Sequence, residues 1–135
     1  MNIALWIVQA VLAAVFLFAG GMKLMMPIED LVANGMNAFE GGSVALVRFI
    51  GLSEVAGGLG LILPAALRIK PKLTVAAAGA LAFVMVLAVA THLWLGEPEA
   101  IGAPIVLGLL CAFVAWGRAT KQAIAPREVA GASAR

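Results

Sequence analysis

A chain of 135 residues fits a single domain, yet 64% of it is hydrophobic and only 12% charged, about half the charged share of a soluble domain. With mean hydropathy at +1.09, the apolar surface exceeds what one small core can hide, so a water-soluble fold is excluded and the surplus faces lipid. The net charge of +2 comes from basic residues gathered between and after apolar runs, which argues against a nucleic-acid-binding face, and the lone cysteine excludes an intrachain disulfide or a CxxC redox pair.

The first predicted span covers about 3–22 and closes on Gly20, Gly21 and Lys23. No basic segment precedes it and no persuasive small-x-small cleavage site ends it, so it reads as a retained helix rather than a signal peptide. Gln9, its polar interior residue, is expected to hydrogen-bond a neighbouring helix. Lys23 sits at the rim, where its ammonium is expected to reach out to the headgroups, with a place at a binding mouth as the alternative.

Residues 24–43 form a connector with structure of its own. Pro27 suits a first helical position, and Glu29 and Asp30 in the first turn complement the helix dipole. Ile28, Leu31, Val32 and Phe39 recur at helical spacing, which predicts a short interfacial helix between spans 1 and 2, or a lid over the bundle mouth. Asn34-Gly35 and Gly41-Gly42 interrupt and end it.

The second span, 44–67, carries Arg48, a carboxylate at Glu54, and the glycines Gly51, Gly57, Gly58 and Gly60, which are expected to let neighbouring backbones come close. The third, 73–95, begins with the small residues Ala76 to Ala80, where Gly79 is expected to pack against another helix, and ends with Thr91, His92 and Trp94 before an acidic turn. The fourth, about 100–117, tolerates Pro104 in its first turn, holds Cys111 as a small packing residue, and finishes at Trp116 and Arg118. Residues 1–120 are thus predicted to form one transmembrane domain and 121–135 a frayed cytoplasmic tail. The predicted fold is all-α: a membrane-embedded antiparallel four-helix bundle.

Four spans put both termini on one side, and that side collects Arg68, Lys70, Lys72, Arg118, Lys121, Arg127 and Arg135. The basic excess places both termini in the cytoplasm.

A charge at the bilayer centre costs about 2.5 kcal/mol or more, so Glu54, roughly 15 Å deep along its helix, must face protein or water. Arg48 and Glu54 are six residues apart, roughly 120° around the helix, so each is expected to find its partner on another helix or through water. Lys23, Arg48, Thr91 and His92 fall at one end of the spans and predict a polar funnel with Glu54 at its base. Buried charges that only fix helix assembly are the structural alternative. A single histidine without cysteine or carboxylate spacing predicts no metal site and no bis-histidine haem. No phosphate-cradling loop and no Gly-x-Ser-x-Gly elbow is present, and no catalytic residue is predicted.

The segments Leu17-Phe-Ala-Gly-Gly-Met-Lys23-Leu, Arg48-Phe-Ile-Gly51-Leu-Ser-Glu54 and Gly57-Gly58-Leu-Gly60-Leu-Ile-Leu-Pro64, with Leu73-Thr-Val-Ala-Ala through Met85 to His92, resemble the DoxX-like family. The similarity runs from about Leu5 to Arg118. It implies a small four-span protein of the bacterial inner membrane. Relatives in that family include the small membrane subunit of an archaeal thiosulfate:quinone oxidoreductase and a membrane component of a mycobacterial redox-protective assembly. A distant animal relative chaperones receptor assembly.

The expected function is that of a non-catalytic subunit, without a cofactor of its own, which binds a quinone or similar lipophilic molecule for a redox-protein partner. Glu54 would relay a proton while Arg48 and His92 donate hydrogen bonds to carbonyl oxygens. The alternatives are a structural or assembly factor, alone or as a homo-oligomer, and a proton or small-solute transporter, the last weakened by a single deeply placed carboxylate and no inverted repeat.

Overall fold

The structure, a computed structural model, describes residues 1–128. Its helices are α1 (Asn2–Met25), α2 (Ile28–Ala33), α3 (Val44–Leu67), α4 (Lys72–Trp94) and α5 (Gly102–Trp116). Short 3₁₀ turns at Asn37–Phe39 and Pro98–Ala100 precede α3 and α5, and a π-helical turn, Gly117–Lys121, extends α5. Helices α1, α3 and α4 and the continuous stretch Pro98–Lys121 are each long and apolar enough to cross a membrane.

The four long helices form a ring. Helix α1 packs on α3, α3 on α4 and α4 on α5, while α5 returns to α1 through a lighter contact. The pairs α1/α4 and α3/α5 are therefore diagonal. The core holds Leu5, Leu12, Phe16, Leu61, Ala78, Leu81, Cys111 and Val114. Large apolar side chains also cover the outside, Ile3, Phe18, Phe83 and Leu109 among them. A helix that is apolar on every face belongs in lipid, because in water that outer surface would draw copies together.

Glycines decide how closely α1 and α3 approach. A methyl group at Gly20 would lie 2.7 Å from the Gly51 carbonyl oxygen and 2.9 Å from the Val55 amide nitrogen. One at Gly58 would lie 3.3 Å from the Ala13 carbonyl oxygen, and those at Gly57 and Gly60 would strike Leu81 and Ala77 of α4. Gly79 departs from its expected packing role: nothing lies within 4 Å of the position its Cβ would take. Ala78 faces the core, and a turn of about 100° per residue carries Gly79 round to the outer surface.

Ser43 caps α3 by accepting the Leu46 N–H at 3.4 Å, and the helix ends where Arg68 enters the left-handed region at φ 57°. That turn also holds the start of the tail. Arg68 Nε donates to the Ala125 carbonyl at 2.9 Å, and the Arg127 N–H donates to the Arg68 carbonyl at 2.8 Å. Residues 125–127 thus hydrogen-bond to the α3–α4 turn, where the segment finds a donor and an acceptor on Arg68. The predicted tail beyond residue 128, with Arg135, lies outside the described residues.

Candidate functional site

The end of the bundle away from the termini is built from the C-terminus of α1, the connector, the N-terminus of α3 and the C-terminus of α4. Here the direction of each helix decides what its side chains can reach. A Cα–Cβ bond leans toward its own helix N-terminus. On α1 that direction points into the bundle, and on α3 it points toward the mouth. Lys23 therefore leans inward and Glu54 leans outward until Lys23 Nζ and a Glu54 carboxylate oxygen meet at 2.8 Å. Both are buried, at 7% and 4% exposure. The expected snorkel of Lys23 to the headgroups is corrected on this point, since reaching outward would mean bending against the lean of its own helix. Close approach at Gly20 and Gly51 brings the two residues within range: a methyl at Gly51 would lie 2.8 Å from Lys23 Cβ.

Arg48 does not join that pair. Its Nη1 donates to the Lys23 carbonyl and, at 2.7 Å, to the Met26 carbonyl. A helix C-terminus leaves its last carbonyls without intrahelical donors and carries partial negative charge, so a guanidinium from α3 caps α1 in both respects. The Nε and Nη2 of Arg48 donate to no protein group among the described residues.

The connector covers this region. Leu31 of α2 is fully buried, whereas Glu29 and Asp30 stay exposed. The Phe39 ring lies with its centroid 5.9 Å from Lys23 Nζ, adding a cation–π contact. Between connector and α3 opens a cleft of about 660 Å³, walled by Pro27, Glu29, Val32, Glu40, Val44 and Arg48.

Thr91 and His92 lie at the same end of the bundle but not in this site. Thr91 Oγ1 donates back to the Leu87 carbonyl of its own helix at 2.8 Å, and its side chain faces outward. His92 Nδ1 lies 2.9 Å from a Glu97 carboxylate oxygen in the turn that follows α4. Two things keep them apart: α4 is diagonal to α1 and so to Lys23, and although α4 packs on α3, Thr91 faces outward and His92 turns to Glu97 rather than to the charges of α3. The structure therefore unites Lys23, Arg48 and Glu54 and leaves Thr91 and His92 apart. Among the described residues no three His, Cys, Asp or Glu side chains converge as metal ligands.

A second polar cluster, missed by the sequence reading, occupies the other end. Gln9 Nε2 donates to the Leu61 carbonyl at 2.6 Å, the interhelical bond expected of it, and its Oε1 accepts from Arg118 Nε at 2.6 Å. Arg118 follows the last apolar run and reads as a flanking charge. Helical spacing puts it inward instead, four residues after the buried Val114 and seven after the buried Cys111, while Gly117 lets Leu5 of α1 come so close that a Cβ there would lie 2.6 Å from it.

Four apolar helices closing on a buried ion pair, with further polar groups gathered toward the two ends of the ring, define a small four-span membrane protein. The sequence profile of the DoxX-like family matches residues 7–114, and the chain belongs to that family. No significant match was found among curated proteins or among solved structures.

Proposed function

We propose that the protein is a non-catalytic membrane subunit that holds the polar headgroup of a quinone or similar lipophilic carbonyl compound for a redox partner. The observation that carries this reading is the cleft beside Arg48. Its wall contains a guanidinium with two nitrogens free to donate, next to the apolar Pro27, Val32 and Val44. A small ligand site combines these elements: apolar walls for the ring and tail, and a few convergent donors for the oxygens. Arg48 would donate to a ligand carbonyl while keeping its bonds to α1. The Lys23–Glu54 pair beneath fixes the spacing of α1 and α3 and so the shape of the cleft. Bacterial inner-membrane location with both termini cytoplasmic accords with the basic residues at the terminal end.

Photolabelling of the purified protein by an azido-quinone in lipid nanodiscs tests it. Wild type should be labelled on the connector or the first turn of α3. Val32→Trp, which fills the cleft without touching the charges, should abolish labelling, and Arg48→Lys should weaken it. Equal labelling of all three proteins would overturn the proposal.

A second reading has an observation of its own. Lys23 and Glu54 satisfy each other and Arg48 caps α1, so these charges would equally suit a structural or assembly role. On that reading wild type takes no specific label, and a defined protein partner, or a second copy of the chain, co-purifies with it.

A further inference from the structure

At the terminal end of the bundle, Arg118 is a buried charge without a counter-charge among the described residues. Arg118 is 4% exposed, and its partners are all neutral. Nε donates to Gln9 Oε1 at 2.6 Å, and Nη1 donates to Asn2 Oδ1 at 2.7 Å and to the Gln122 carbonyl at 3.2 Å. The guanidinium carbon lies 4.9 Å from the centroid of the Trp6 ring. The ion pairs among the described residues are Lys23–Glu54 and His92–Glu97, and neither includes Arg118. A buried cation ordinarily has a carboxylate or another anion beside it, as Lys23 does.

Two buried side-chain atoms among the described residues lack any hydrogen-bond partner, Arg118 Nη2 and Thr74 Oγ1. Both lie at this end. Thr74 is in the first turn of α4, next to Val75, and Val75 and Arg118 wall the same cleft of about 400 Å³. Lys72, the first residue of α4, stands on its rim, so the positive end of that helix's dipole adds to the two side-chain cations. The rest of the wall is apolar: Val75, Ala76, Ala119 and Ile124.

We propose that this cleft binds the phosphate group of an anionic phospholipid. Arg118 is the buried cation and Lys72 the rim cation. Guanidinium geometry suits phosphate oxygens, which accept in the plane of its N–H groups. The apolar wall receives the glycerol backbone and the upper acyl chain. Basic pockets between membrane helices at the level of the headgroups take anionic lipids by this chemistry. Free inorganic phosphate shares the oxygens but gains nothing from Val75, Ala76 or Ile124.

Native mass spectrometry and thermal unfolding of the whole protein test the proposal, with the protein delipidated in detergent and then given defined lipid. Wild type should retain one phosphatidylglycerol per chain at least tenfold more than phosphatidylcholine, and phosphatidylglycerol should raise its melting temperature. Lys72→Gln and Ala76→Phe change exposed positions on the cleft and leave the Arg118–Gln9–Asn2 bonds intact. Each should cut retention several-fold and remove the thermal shift. Arg118→Gln should do the same where it folds.

Equal retention of the two lipids overturns the proposal, as does retention untouched by Ala76→Phe. Inorganic phosphate at millimolar concentration should neither displace the lipid nor raise the melting temperature. If it does both, the site is for free phosphate and the lipid assignment fails. The cleft beside Arg48 lies at the opposite end, so quinone labelling and lipid retention succeed or fail independently.

Discussion

Replacing one member of the Lys23–Glu54 pair should destabilise the protein far more than replacing both. At 2.8 Å and an effective dielectric constant of about 20, the attraction between the two charges is about 6 kcal/mol. Desolvating both ions offsets most of that gain, so the intact pair adds little net stability. Glu54→Leu alone removes the attraction but leaves the Lys23 ammonium out of water, at a cost of about 3–5 kcal/mol, and Lys23→Met alone does the converse. With both substitutions no charge remains buried, and stability should return to within about 1 kcal/mol of wild type, a coupling of about 5 kcal/mol or more. Reversible unfolding in mixed micelles would measure this, read by the reaction of Cys111 with a thiol reagent. That residue is fully buried in the folded chain, so its labelling rate reports opening of the core. Because the pair is shielded from solvent, its coupling should hardly change with salt. Additive single and double substitutions would refute both the pairing and the inward lean of Lys23 that produces it.

Gly20→Val should unfold the bundle or force α1 and α3 apart, since the obstacle to a side chain there is the backbone of α3, at 2.7 Å and 2.9 Å. Gly79→Ala, facing open space, should instead stabilise by about 0.4–1 kcal/mol, and thermal unfolding in detergent separates the two outcomes. Arg48→Ala should cost about 1–3 kcal/mol by leaving the Lys23 and Met26 carbonyls without their donor. Faster hydrogen exchange confined to the last turn of α1 and to α2 would show where the loss falls.

The spans were legible because an apolar run of this length has few other destinations, and the glycines of α3 because close packing is their usual use in lipid. Glu54 was legible for an energetic reason that needs no structure. The identity of its partner was not. Counting along the chain locates a Cα, whereas the reach of a side chain depends on which way its helix runs and on how closely its neighbour approaches, and Lys23 meets Glu54 for both reasons. Thr91 and His92 show a second limit. Depth was read correctly enough to place them at the mouth, but the order of helices around the ring, which puts α4 diagonal to α1, is not written in hydropathy. Gly79 failed on phase: in a helix apolar on all sides no polar residue marks which face is outward. Arg118 was passed over as a flanking charge because it follows the last apolar run, although its spacing of four from Val114 and seven from Cys111 puts it on the buried stripe that continues α5.

The two ends of the molecule treat buried cations in opposite ways, and the contrast bears on what each end can do. At the mouth, the buried cation Lys23 has an internal counter-charge in Glu54, and Arg48 is only partly buried and shares its cleft wall with Glu29 and Glu40, so no fully buried charge there waits for a ligand. A ligand there need only be a hydrogen-bond acceptor, which fits a neutral carbonyl compound better than an anion. At the terminal end, Arg118 is held by amides, a carbonyl and an aromatic ring, groups that orient a guanidinium without neutralising it. A ligand there must bring negative charge. The side-chain carboxylates of the described residues do not supply it: Glu54 and Glu97 are already paired, and Glu29, Asp30, Glu40 and Glu99 belong to the opposite end. Glu128, the one described carboxylate near the terminal end, is exposed and makes no ion pair. The division of charge along the bundle axis therefore assigns different ligand chemistry to each end.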